Sequence, residues 1–106
     1  MPGRTSAQHY WWRDELARLT LRLAQQIAAD ADIDREAVGD REVALAVLAA
    51  THRMRTELDE RLTEAAQRAA ATGADYAEMG HAAGLTRQGA RRRWPDLAKI
   101  TRAARA

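Results

Sequence analysis

The chain contains no cysteine, which excludes a disulfide frame and any thiolate metal site. Phenylalanine is also absent and there are two prolines; alanine, leucine and arginine dominate instead, the composition of an all-helical protein. Long apolar runs are missing too. Uncharged stretches reach about ten residues, against the ~20 needed to cross a bilayer. The opening "MPGRTS" has no apolar core and does not read as a signal peptide, so a cytoplasmic protein is the default expectation. With 106 residues there is room for one modest core, and domains of this size bury only about two-thirds of their surface.

Acidic residues are scarce at one end. Residues 1–74 carry ten arginines and twelve acids, whereas residues 75–106 carry six arginines and one lysine against three acids. The formal net charge of +2 therefore hides a body of −2 and a C-terminal third of +4. Such an end suits a polyanion, and a solvated basic tail fits the same count.

Apolar spacing predicts the helices. Trp12, Leu16, Leu19, Leu23 and Ile27 recur every three or four residues, giving a first helix from about Ser6 to Ala31. The acidic "DADIDREAVGD" makes a turn, with Asp40 as the expected N-cap of the next helix and Glu42 near its positive end. From Val43 the 4–3–4 rhythm runs without glycine or proline until Gly73, a helix of about 45 Å, with Thr51 and His52 as the weak point where it would break. The short connection predicts an antiparallel hairpin. Two helices leave part of their apolar stripes uncovered. Trp11 and Trp12, about 100° apart on the helix, cannot both face the hairpin. A second copy of the chain is the expected partner, with Trp11, Trp12, Leu16 and Leu19 at the dimer interface; packing of the C-terminal helices there is the alternative.

The stretch "YAEMGHAAGLTRQGARRRW", residues 76–94, holds the densest positive charge. Asp75 is the expected N-cap of a short helix, Gly84 the turn, and Thr86 the N-cap of a second helix, "RQGARRRW". Gly80 suits a close crossing, with Met79, Ala83, Leu85 and Ala90 as buried contacts, and residues 57–71 supply a third helix. A helix, a glycine turn and a helix make the helix-turn-helix plan. This stretch resembles the helix-turn-helix unit of bacterial sigma-factor region four and of small actinobacterial DNA-binding regulators, through its aromatic, "AEMG" and "TRQ" positions. The resemblance covers about 20 residues and implies DNA binding with the second helix in the major groove. It departs at Ala83, where a larger aliphatic is common, at Gly89 inside the second helix, and at Arg93 on the inward arc. Arg93 is expected to pair internally with Glu64 or Glu78.

By helical rotation Arg87, Gln88, Arg91 and Arg92 share an arc away from Leu85, Ala90 and Trp94. Arg and Gln reach base edges in bidentate fashion, so Arg87, Gln88 and Arg91 are the candidates for base contact. Thr86, Arg92, Lys99 and Arg102 are the candidates for phosphate, with Arg105 also peripheral. Pro95 blocks continuation of the helix. "DLAKITRAARA" then reads as a further helix with Leu97 and Ile100 inward, or as a frayed tail.

The expected architecture is all-α: a long antiparallel hairpin over residues 1–55 for dimerisation, then a tri-helical helix-turn-helix unit over 56–106. The expected function is sequence-specific binding of double-stranded DNA by a homodimeric transcriptional regulator or a plasmid or phage maintenance factor on the nucleoid. An RNA polymerase or sigma-factor interaction module and a low-specificity architectural protein are the alternatives. No enzyme is expected. His9, His52 and His81 lack ligand spacing, no nucleophile or phosphate-loop motif occurs, and no cofactor, metal or small-molecule ligand is implied.

Overall fold

The computed structural model describes residues 10–31 and 39–106, and all regular structure among them is helical. Five helices follow in order: α1 Trp11–Asp30, α2 Asp40–Ala71, α3 Tyr76–Ala83, α4 Arg87–Arg93 and α5 Leu97–Arg105. The expected helix start at Ser6, the residue His9 and most of the acidic turn lie outside the described residues. The chain divides into two compact units, Met1–Thr56 and Glu57–Ala106, and α2 contributes to both.

α2 runs 32 residues without interruption, about 48 Å. The weak point at Thr51 and His52 does not break it. Thr51 Oγ1 donates to the Val47 carbonyl at 2.7 Å and Thr56 Oγ1 to that of His52 at 3.1 Å, so the threonines satisfy themselves along the helix. Its start corrects the expected cap. The helix already includes Asp40, and the N–H of Gly39 donates to the Glu42 carboxylate at 3.1 Å. Glu42 folds back over the first turn, which moves the cap position to Gly39.

In the first unit Ala24 and Ala50 are buried. Thr20 Oγ1 of α1 meets Met54 Sδ of α2 at 3.2 Å, and Leu21, Ala24 and Ala28 share an apolar cleft with Val43, Ala46 and Val47. Methyl groups allow close approach but cover little. Trp11 stays 63% exposed, Trp12 46%, Leu45 56% and Leu48 65%.

The second unit has the larger core: Ala66 and Ala70 of α2, Tyr76 and Met79 of α3, Ala90 of α4, then Trp94 and Leu97. Leu85 packs against it, half-buried. Ala83 does not join. It is exposed at the end of α3, where its methyl is too short to reach across. An apolar groove of about 160 Å³ results, walled by Leu62, Ala66, Met79, Ala83 and Trp94. In α5, Leu97 is buried but Ile100 is not. Thr101, one turn after Leu97, takes the inward place and donates from Oγ1 to the Ala74 carbonyl.

Tyr76 joins the two ends of this unit. Its hydroxyl donates to the Trp94 carbonyl at 2.7 Å and accepts from the Leu97 N–H at 3.1 Å, both in buried surroundings. The Leu97 N–H opens α5 and has no carbonyl of its own helix to bond. Removing the hydroxyl in Tyr76→Phe strands both groups, at about 1–3 kcal/mol for each buried group left unpaired. Urea unfolding should show that loss, and an unchanged midpoint would mean the corner is held by other contacts.

Candidate nucleic-acid interface

The placement of α4 begins at Asp75. Its carboxylate accepts from the Glu78 N–H at 2.9 Å, and the Glu78 carboxylate accepts from the Asp75 N–H at 3.2 Å, a reciprocal capping box. α3 ends after two turns at Gly84, whose φ of 70° is the left-handed conformation that a Cβ disfavours. The crossing with α4 is closest at Gly80. A Cβ there would stand 2.8 Å from the Leu85 carbonyl oxygen and 2.9 Å from that of Thr86, both backbone atoms. Thr86 then caps α4, its Oγ1 accepting from the Gly89 N–H at 2.9 Å. That cap also bears on Gly89, where an added Cβ would lie 3.1 Å from Thr86 Oγ1.

Ala90 and Trp94 turn α4 inward, and its other residues sort by rotation from Ala90. Gln88 and Arg92 each lie about 160° away, facing straight out. Arg91 lies about 100° round and Arg87 about 60°, both on the flank. Arg87, Gln88, Arg91 and Arg92 are all exposed. None of the four side chains forms a hydrogen bond or ion pair within the described residues, and the same holds for the side chains of Lys99 and Arg102 on α5.

Two arginines in this region are paired, and neither as expected. Arg93 bonds Asp59 at 3.2 Å and lies 5.9 Å over the Trp94 ring, rather than reaching Glu64 or Glu78. Asp59 sits only about 20° round α2 from Ala66, on the face that packs here, whereas Glu64 points about 160° away. Glu78 is taken by Arg105, which bonds its carboxylate at 3.1 Å, Asp75 at 3.6 Å and the Gly73 carbonyl at 2.7 Å. Arg105 is thus a brace between α5 and the start of α3, not a peripheral phosphate contact. His81 is exposed on α3.

Arg87 and Arg91 open onto α5. Arg91, Lys99 and Arg102 border one cleft of about 250 Å³ with Tyr76, Pro95 and Asp96. Arg87, Arg102 and Arg105 border a second, of about 310 Å³, with Asp75, Tyr76 and Thr101. Asp96 turns the chain between the helices at a φ of 73°, the left-handed region, which costs a residue other than glycine about 1–2 kcal/mol.

No family model matches the chain, and neither a curated protein nor a solved structure matches it either. Among the described residues no helix is long and apolar enough to cross a membrane, and no group of three or more His, Asp or Glu is placed to hold a metal ion.

The Glu78 N–H holds the Asp75 carboxyl below the usual aspartate range; partial desolvation opposes this, and the Arg105 guanidinium adds to the lowering. A carboxyl depressed in the folded state contributes stability above its unfolded pKa and loses it as pH falls through the folded value. Asp75→Asn should therefore be less stable than the wild type at neutral pH, with the gap closing at acid pH. Urea midpoints taken down through the carboxylate range check this, and a gap independent of pH would contradict it.

Proposed function

We propose that the chain binds double-stranded DNA sequence-specifically, as a homodimeric transcriptional regulator or a plasmid or phage maintenance factor acting on the nucleoid. The observation that carries the reading is the outward side of α4. Gln88 and Arg92 face straight out with Arg87 and Arg91 on the flank, all four exposed and none in a side-chain hydrogen bond or ion pair among the described residues, on a helix located by a capped turn and a backbone-tight crossing. In this reading α3, the Gly84 turn and α4 are the helix-turn-helix, and residues 57–71 of α2 are its third helix. α4 enters the major groove. Of the three base-contact candidates, Gln88 faces the groove floor most directly, with Arg87 and Arg91 beside it. Thr86 keeps its hydroxyl hydrogen free to donate to a phosphate oxygen, and Arg92, Lys99 and Arg102 supply further phosphate contacts.

The dimer forms through the first unit, read as an antiparallel hairpin. Trp11, Trp12 and Leu19 are exposed, while Leu16 is half-buried within the protomer. Leu45 and Leu48 extend the apolar surface onto α2. They belong to an uncharged stretch, residues 43–50, and a helix apolar on every side calls for cover on every side. Two hairpins covering each other answer that need. Two recognition helices then meet half-sites one turn of DNA apart, about 34 Å, on a near-palindrome.

Selection of bound fragments from random DNA tests the reading. One enriched inverted repeat is expected, whereas flat enrichment favours an architectural protein and no retention a polymerase-binding module. On the selected site Gln88→Ala should cost about 1–3 kcal/mol and relax discrimination at one base position, read by binding anisotropy against single-base variants. Equal losses on selected and random DNA would remove Gln88 from base recognition. For the dimer, sedimentation equilibrium at micromolar protein should give a dimer for the wild type and a monomer for Leu48→Glu. A monomeric wild type contradicts that part.

A further inference from the structure

We infer that the cleft between α4 and α5 is a seat for the phosphodiester backbone, with Arg91, Lys99 and Arg102 gripping one DNA strand together. On this assignment Arg91 acts on phosphate and not on a base edge. The inference rests on the DNA-binding reading and divides the labour within it.

Three cations border this cleft of about 250 Å³, and the one acid on its rim, Asp96, forms no ion pair with any of them within the described residues. Like charges on a concave surface repel, and they do so more strongly where the walls exclude water. Long side chains free to splay into solvent would relieve that repulsion, but their helices are not free to part. Tyr76 lines the cleft, and its buried hydroxyl bonds the last carbonyl before the corner and the first N–H after it. The left-handed turn at Asp96 sets α5 against α4 at the same place. The fold thus holds three cations from two helices around one space, against a single acid that pairs with none of them. An anion is the complement that is missing.

The wall's shape favours a strand over a lone ion. Arg102 borders this cleft and the neighbouring one, into which Arg87 opens, one helical turn (about 6 Å along α4) before Arg91. Guanidinium groups repeated along a helix flank suit the repeated phosphates of one strand. The flank also lies beside the outward face that holds Gln88, where a strand bordering the major groove would run when α4 is docked.

The test is binding anisotropy with the full chain on its selected duplex and on a random duplex, across a salt series. Arg91→Gln, Lys99→Gln and Arg102→Gln are each expected to lower the slope of log affinity against log salt by about one, equally on both duplexes, with base preference kept. Neutral methylphosphonate linkages, placed one at a time along the strand, identify the seat: the wild type should lose affinity at one or two adjacent positions, and Arg102→Gln should lose no more there. If Arg91→Gln instead relaxes preference at one base position and leaves the salt slope unchanged, the seat is refuted while the DNA reading stands. If the wild type binds neither duplex at low salt, both fall.

Discussion

The second unit depends on one phenol. Tyr76 stands at the first position of α3, and its hydroxyl bonds residues 18 and 21 positions later, where α4 gives way to α5. That pair of bonds spares two buried backbone groups and fixes the angle at which α5 leaves. The same α3 begins with the Asp75–Glu78 box, and Arg105 returns from the far end of α5 to bond both acids. The start of α3 is therefore a knot through which α4 and α5 are both located. The core around it is small and alanine-rich, so polar bonds at its edge carry much of the geometry.

The distribution of charge follows from that knot. Asp59, Asp75 and Glu78 are taken up by Arg93 and Arg105, the two arginines that brace helices against each other. Among the described residues the side chains of Arg87, Arg91, Arg92, Lys99 and Arg102 form no ion pair, although the charge of Arg87 is felt at Asp75. The positive surface is a remainder: acids near the corner are taken up by the two bracing arginines, and five cations that form no ion pair among the described residues are left on α4 and α5. A surface made this way has a defined shape, because the braces that consume the acids also hold the helices bearing the free cations. That shape, more than the net charge of +2, is what a polyanion would meet.

Much of this was legible in the sequence, and most of what was missed in the second unit has one cause. The caps at Asp75 and Thr86, the left-handed Gly84 and the close approach at Gly80 follow from local chemistry, which a sequence carries directly. The exposed arc of α4 follows from helical rotation alone. Long-range partners do not. That Arg93 meets Asp59 depends on which face of α2 packs against α3 and α4, and the apolar rhythm does not say which acid borders that face. Ile100 was expected inward because it is apolar, yet Thr101 took the place because the Ala74 carbonyl offered it a bond. Tyr76 was read as one aromatic in a motif, and nothing in its neighbours announces a partner 18 residues on. The opening of Arg87 and Arg91 toward α5 was hidden for the same reason: it required the corner at Pro95 and Asp96 to be turned.

We propose that α4 and α5 together form a nucleic-acid surface. Amide chemical shifts of the full chain, followed while a DNA duplex is added at low and then raised salt, test it most directly. Changes concentrated over residues 86–93 and 97–105 that retreat as salt rises are the expected result. Saturating duplex that leaves those amides unshifted, or shifts that fall only on α1 and the first half of α2, would contradict it.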